Sequence, residues 1–179
     1  MTVDWRPDAA EARAWTIAGL VITVLALPLF ALPSVLTRHS GSITINLAVI
    51  AAVVALTFTL ALVHEAVHGV VMLAFGARPS FGMVLVAGSM PALYATSPGH
   101  RFTRAQYLAV AAGPALLISS LGLWATSAAW GLVLVFPLAA HLGGCVGDAA
   151  AIRNVMRQPR GTLYEDLKDG VRFHLPEGA

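Results

Sequence analysis

Residues 43–75 read ITINLAVIAAVVALTFTLALVHEAVHGVVMLAF, a run whose single charged side chain is Glu65. A helix needs about 20 apolar residues to cross the roughly 30 Å hydrocarbon layer of a bilayer. This run exceeds that need, so its helix is expected to tilt or to protrude at one end. Three further apolar stretches of spanning length lie at roughly 15–36, 104–125 and 128–152. The composition agrees: 58% of the 179 residues are hydrophobic and 11% charged, against about 25% charged in soluble domains. The expected fold is an all-α membrane protein with four transmembrane helices, forming one bundle over 1–152 and followed by a cytoplasmic C-terminal tail at 153–179.

The flanks set the topology. With four spans, both termini and the 76–103 segment share a side, and every Lys and Arg except Arg38 falls there. The positive-inside rule then puts both termini in the cytoplasm. Trp15, Trp124 and Trp130 sit where interfacial anchors belong. The first span is expected to be a retained anchor, not a signal peptide, because its leader mixes Asp4, Asp8 and Glu11 with Arg6 and Arg13. Cys145 is the sole cysteine, which excludes an intramolecular disulfide. The net charge of +2, with basic residues beside membrane segments, does not suggest nucleic-acid binding. The prolines at 28, 33, 114 and 137 read as tolerated kinks with packing roles.

Between the second and third spans, residues 79–98 are too broken by Gly and Pro for a helix and carry β-formers around Met83–Val86. A β-hairpin or re-entrant loop is expected, against the plainer reading of a loop lying on the bilayer surface. Gln158–Gly161 reads as a turn. The tail after it is expected to hold a short helix near Leu163–Lys168 and a strand at Val171–Leu175.

Apart from residues at helix ends, Glu65 and Asp148 are the acidic side chains of the four stretches. Each costs about 2.5–3.5 kcal/mol at mid-bilayer, so such acids usually serve function. Glu65 stands in His64-Glu65-Ala66-Val67-His68, the His-Glu-x-x-His zinc motif. Residues four apart lie one above the other on a helix, so both imidazoles can reach one ion. Glu65, about 100° round the helix, can take a proton from zinc-bound water, whose pKa the metal lowers to about 7. The bland alternative is a pair of packing histidines beside a neutral Glu. A catalytic zinc usually has three protein ligands. Asp148 is expected as the third, at a depth compatible with the two histidines. His141 and Cys145 share its helical face, but His141 lies about two turns away, so it reads as a residue behind the ligands, a lining residue or simply core, and Cys145 as an apolar filler. His39, His100 and His174 read as solvated. Tyr94 and Asn46 find no assignment.

These residues resemble a known family, the small bacterial membrane proteins called zincin peptidases, similar in layout to site-2 intramembrane proteases. The likeness rests on His64–His68, the Gly/Pro-rich segment through Pro98, Phe102–Tyr107 leading into Ala112-Gly113-Pro114, and Gly144–Asp148. In site-2 proteases the third ligand is an Asp followed by Gly; here Ala149 follows Asp148. The resemblance implies zinc-dependent peptide-bond hydrolysis in or near the membrane.

The expected protein is therefore a multi-pass metallopeptidase of a bacterial inner membrane, its partners the bilayer and a polypeptide substrate, with nothing to indicate a homo-oligomer. Zn2+ is held by His64, His68 and Asp148, with Glu65 as general base and Met83, Val84, Leu85 and Val86 as a strand that pairs with extended substrate. Two other classes compete: a membrane metal carrier or sensor without hydrolysis, and an inactive relative that binds membrane partners through the hairpin.

Overall fold

In the computed structural model, residues 1–37 and 44–176 are described; Arg38 and His39 lie outside them. The order of elements is β1 (Thr2–Trp5), α1 (Ala9–Leu36), α2 (Leu47–Ala74), β2 (Ser80–Val86), β3 (Met90–Thr96), α3 (Arg104–Ala125), α4 (Leu132–Gly144), α5 (Val146–Arg157), β4 (Leu163–Leu167) and β5 (Gly170–His174). Four helical stretches are long and apolar enough to cross a membrane: α1, α2, α3 and the α4–α5 pair. They leave large apolar side chains such as Leu25, Val54, Phe58 and Leu121 exposed, as a surface facing lipid requires.

Caps, more than apolarity, fix where these helices begin. Asp8 Oδ1 accepts the backbone N–H groups of Ala10 and Glu11 at 2.8 Å each, and Glu11 Oε2 accepts that of Asp8 at 3.4 Å. This capping box starts α1 at Ala9, ahead of the expected residue 15. Asn46 Oδ1 accepts the Val49 N–H at 3.0 Å and caps α2, which gives Asn46 its role. Thr103 and Gln106 exchange the same reciprocal bonds ahead of α3. The expected fourth helix is broken at Cys145, whose φ of −72° and ψ of 6° leave the helical region, and a new helix starts at Val146.

The chain divides into two compact units. One, among the described residues, comprises 16–37, 44–64 and 115–146 and is built from helices. Small residues bring its helices close: a Cβ on Gly19 would lie 2.8 Å from the Gly143 carbonyl oxygen, Gly122 lies under Leu138, and the Ser34 hydroxyl donates to the Thr126 carbonyl.

The other unit comprises 1–15, 65–114 and 147–179 and holds both sheets. The 79–98 segment forms an antiparallel hairpin, β2–β3, paired from Ser80↔Thr96 to Val86↔Met90. Tyr94 covers Gly82, its cross-strand partner, where a Cβ would meet the phenol oxygen at 2.6 Å. The second sheet, ordered β1-β5-β4, corrects the all-α expectation. Leu163–Leu167 is a strand and not the short helix expected there, because Lys168-Asp169 forms a two-residue hairpin turn that pairs Leu167 with Gly170. β1 then adds to β5, with Thr2 opposite His174 and Trp5 opposite Val171. A side chain on Gly170 would strike the Trp5 carbonyl. Tyr164, Val171 and Phe173 from this sheet pack with Met72, Phe102, Tyr107, Val110, Ala111 and Val155 into one apolar core, tied by paired backbone bonds between Phe102 and Tyr164 at 2.8 and 2.9 Å.

Candidate metal centre

The motif His64–His68 lies on α2, with His64 and His68 one turn apart on one face. His64 and Glu65 are half-buried and His68 is buried. In the sheet-bearing unit, His68 Nδ1 lies 2.9 Å from the Val110 carbonyl oxygen. A carbonyl only accepts, so Nδ1 carries the proton and the lone pair sits on Nε2.

That carbonyl is available for a reason written in the sequence. In a helix, C=O(i) receives N–H(i+4); for Val110 the partner would be residue 114, and Pro114 has no N–H. Gly113 completes the arrangement, because its missing Cβ, which would stand 3.3 Å from Val71 Cγ2, lets α3 approach the His68 turn of α2. Pro114 is thus more than the packing residue expected.

His68 Nε2 faces Asp148 Oδ1 at 3.3 Å. Asp148 lies in the first turn of α5, where the break at Cys145 creates a helix N-terminus whose dipole favours a carboxylate. Two lone-pair donors at this distance need a cation or proton between them.

Within the helical unit His64 has further neighbours. Its Nδ1 is 3.1 Å from His141 Nε2, and the Cys145 Sγ is 3.9 Å from that Nδ1 and 4.0 Å from the His141 nitrogen. One ligand atom from each of His64, His141 and Cys145 lies within 4.8 Å of the others, a group that could hold a metal ion. A place for His141 behind the ligands is compatible with its contact to His64, while the approach of the Cys145 sulfur to both rings goes beyond a filler's packing. Both residues were judged along the chain from Asp148, whereas what they meet is His64.

The hairpin reaches the motif helix. The Phe81 ring lies against Gly69, where a Cβ would come within 2.5 Å of it. Along β2, Phe81, Met83 and Leu85 are 55%, 71% and 57% exposed, while Val86 is buried.

Residues 57–163 match a protein-family model described as "Putative zincin peptidase". The chain belongs to this zincin peptidase family. No curated protein and no solved structure matches it. For a zincin peptidase the metal is zinc, and the donors fit that ion. Bonds of about 2.0–2.1 Å in a tetrahedral site set neighbouring nitrogen and oxygen ligands about 3.3 Å apart, the His68–Asp148 separation. Metal-ligating histidines also characteristically donate their other N–H to a carbonyl or carboxylate, as His68 does to Val110.

Outside the spanning helices, the C-terminal tail holds two acids, Glu165 buried and Asp166 half-buried, that sequence reading passed over. Asp166 accepts the Tyr107 hydroxyl at 2.8 Å, and burial, outweighing this bond, pushes its carboxyl from 3.8 to about 7. Burial also works to raise Glu165, but the Gly99 N–H at 2.8 Å, His174 Nε2 at 3.1 Å and Arg172 overcome it and hold Glu165 below the ordinary carboxylate range. His174 is therefore paired and not solvated, and the His100 ring sits 4.5 Å from that of Phe102. The pairing of Thr103 with Gln106 and the i+4 relation of Pro114 to Val110 were signals available in the sequence; the position of Asp166 had none.

Proposed function

We propose that this zincin peptidase is an intramembrane enzyme that hydrolyses a peptide bond of a membrane or membrane-proximal polypeptide, with His64, His68 and Asp148 as zinc ligands and Glu65 as general base. The observation that carries the reading is the facing of His68 Nε2 and Asp148 Oδ1 at 3.3 Å, with His68 fixed in its ligating tautomer by Val110. Zinc, when bound, supplies a Lewis acid that acidifies water to a pKa of about 7 and polarises a carbonyl. The Glu65 carboxylate then accepts the proton of the attacking water and returns it to the leaving amine. It follows His64 on the same helix, about 100° round, which suits a base that overhangs the ion without ligating it.

Substrate must be extended for attack, since helical peptide bonds are shielded. β2 supports such a mode: among the described residues its sheet has only two strands, leaving one edge of Met83–Val86 to receive a peptide strand. The distribution of Lys and Arg supports cytoplasmic termini, and with them a site opening to the cytoplasm of a bacterial inner membrane.

The group His64, His141 and Cys145 favours a second reading, a membrane metal carrier or sensor that does not hydrolyse. Glu65→Gln separates the two. Neo-N-termini of membrane proteins, compared by mass spectrometry in cells making wild type or Glu65→Gln, should include a set that only wild type produces. Identical sets in both would reject the peptidase and leave the carrier.

A further inference from the structure

The helical unit holds a donor set that shares only His64 with the proposed catalytic ligands. His141 closes α4 and Cys145 follows at the break, four residues on, so the imidazole and the thiol stack on one side. Both are buried. His64 enters opposite them and completes a nitrogen, nitrogen, sulfur triangle with edges of 3.1, 3.9 and 4.0 Å. A tetrahedral ion with bonds of about 2.0–2.1 Å to nitrogen and about 2.3 Å to sulfur sets such edges at about 3.3 and 3.5 Å. The triangle needs shifts of a few tenths of an ångström to close on one ion.

We propose that His64, His141 and Cys145 form a second metal site, which takes a thiophilic cation such as Zn2+ through two imidazoles and a thiolate. Burial disfavours a free thiolate, and a bound dication supplies the compensating charge. On binding, the Cys145 S–H gives up its proton to solvent, and with it the bond it donates to the His141 carbonyl at 3.3 Å. The soft sulfur donor sets this site apart from the His, His and carboxylate set: thiolate selects zinc or monovalent copper, whereas carboxylate suits harder ions. His64 belongs to both sets. Filling the two together would require its imidazole to lose both ring protons, so the sites compete for it.

The inference does not rest on peptidase activity, and Co2+ is the probe that tests it. The full chain in detergent, carrying His68→Ala and Asp148→Ala to remove the other ligands, should show a thiolate-to-cobalt charge-transfer band that saturates at one equivalent. Adding Cys145→Ser should abolish the band, and adding His141→Ala should weaken cobalt binding at least tenfold. A second readout, in the single and isosteric Asp148→Asn variant whose carboxylate site is disabled, guards against misfolding of the double variant. Because Cys145 is the sole cysteine, its alkylation rate is unambiguous, and Zn2+ should slow it at least tenfold, reversibly with chelator. A charge-transfer band absent from both proteins, or alkylation unaffected by zinc that elemental analysis shows to be bound, overturns the site. If Glu65→Gln left cleavage unaltered, the peptidase reading would fail while the band remained.

Discussion

Replacing Pro114 by Ala restores a backbone N–H one turn after Val110. The new donor lies where the i→i−4 bond to the Val110 carbonyl forms in an uninterrupted helix, and it competes with His68 Nδ1 for that oxygen, now 2.9 Å away. The variant gains a hydrogen bond worth about 0.5–1.5 kcal/mol and loses two ring methylenes from a fully buried position, worth about 0.8 kcal/mol each, so folding stability should change little. Zinc binding should change more. Loss of an outer partner of a ligating histidine typically costs 10–100-fold in affinity, or about 1.4–2.7 kcal/mol. The assay is a chelator-competition titration of zinc in a Cys145→Ser background, which removes the soft ligand of the second site. Pro28→Ala, in α1, serves as control and should bind normally. An affinity of Pro114→Ala within threefold of its parent, with helicity unchanged, would refute the idea that the freed carbonyl orients His68.

Other substitutions probe the supports of the site and the tail. Gly113→Val should weaken zinc binding in the same titration, because its side chain would push on Val71; full affinity would show that the close approach of α3 is dispensable. Gly170→Ala, driven against the Trp5 carbonyl, should destabilise the β1-β5-β4 sheet by about 1–3 kcal/mol, visible as a lower thermal midpoint, whereas an unchanged midpoint would deny the contact. Asp166 has a folded pKa raised to about 7, so the folded state binds the extra proton between about pH 4 and 7 and its contribution to stability falls as pH rises through that window. Asp166→Asn should flatten this slope in denaturant titrations; a slope preserved in the variant would assign it to another group. Glu165, held low, has the opposite sign, stabilising above its unfolded pKa and losing that contribution as pH falls through its folded one. Glu165→Gln should accordingly remove part of the loss of stability seen in acid.

The spanning helices were legible because lipid demands one property over about twenty residues, and runs such as 43–75 display it without help from the rest of the chain. Their starts were not, since apolarity does not mark Asp8 or Asn46 as caps although both residue types are preferred there. The three-stranded sheet escaped for a different reason. β1 and β5 are four- and five-residue strands from opposite ends of the chain, and nothing local tells Thr2 that its partner is His174. The motif histidines and Asp148 could be named from residue chemistry and helical spacing, yet the support of His68 is a main-chain oxygen that carries no sequence letter. Only Pro114, read as a missing donor for residue 110, betrays it. The meeting of His141 with His64 could not be read from spacing along α4 and α5, because side chains on different helices meet without regard to sequence separation.

The central claim, that His68 and Asp148 hold the ion that Glu65 serves, is tested most directly by zinc content per chain. It should be measured by elemental mass spectrometry after a weak-chelator wash, in the Cys145→Ser background. The account predicts about one zinc in that parent and with Glu65→Gln added, and loss of the ion when His68→Ala or Asp148→Ala is added. Zinc retained with unaltered affinity in the Asp148→Ala protein would contradict it.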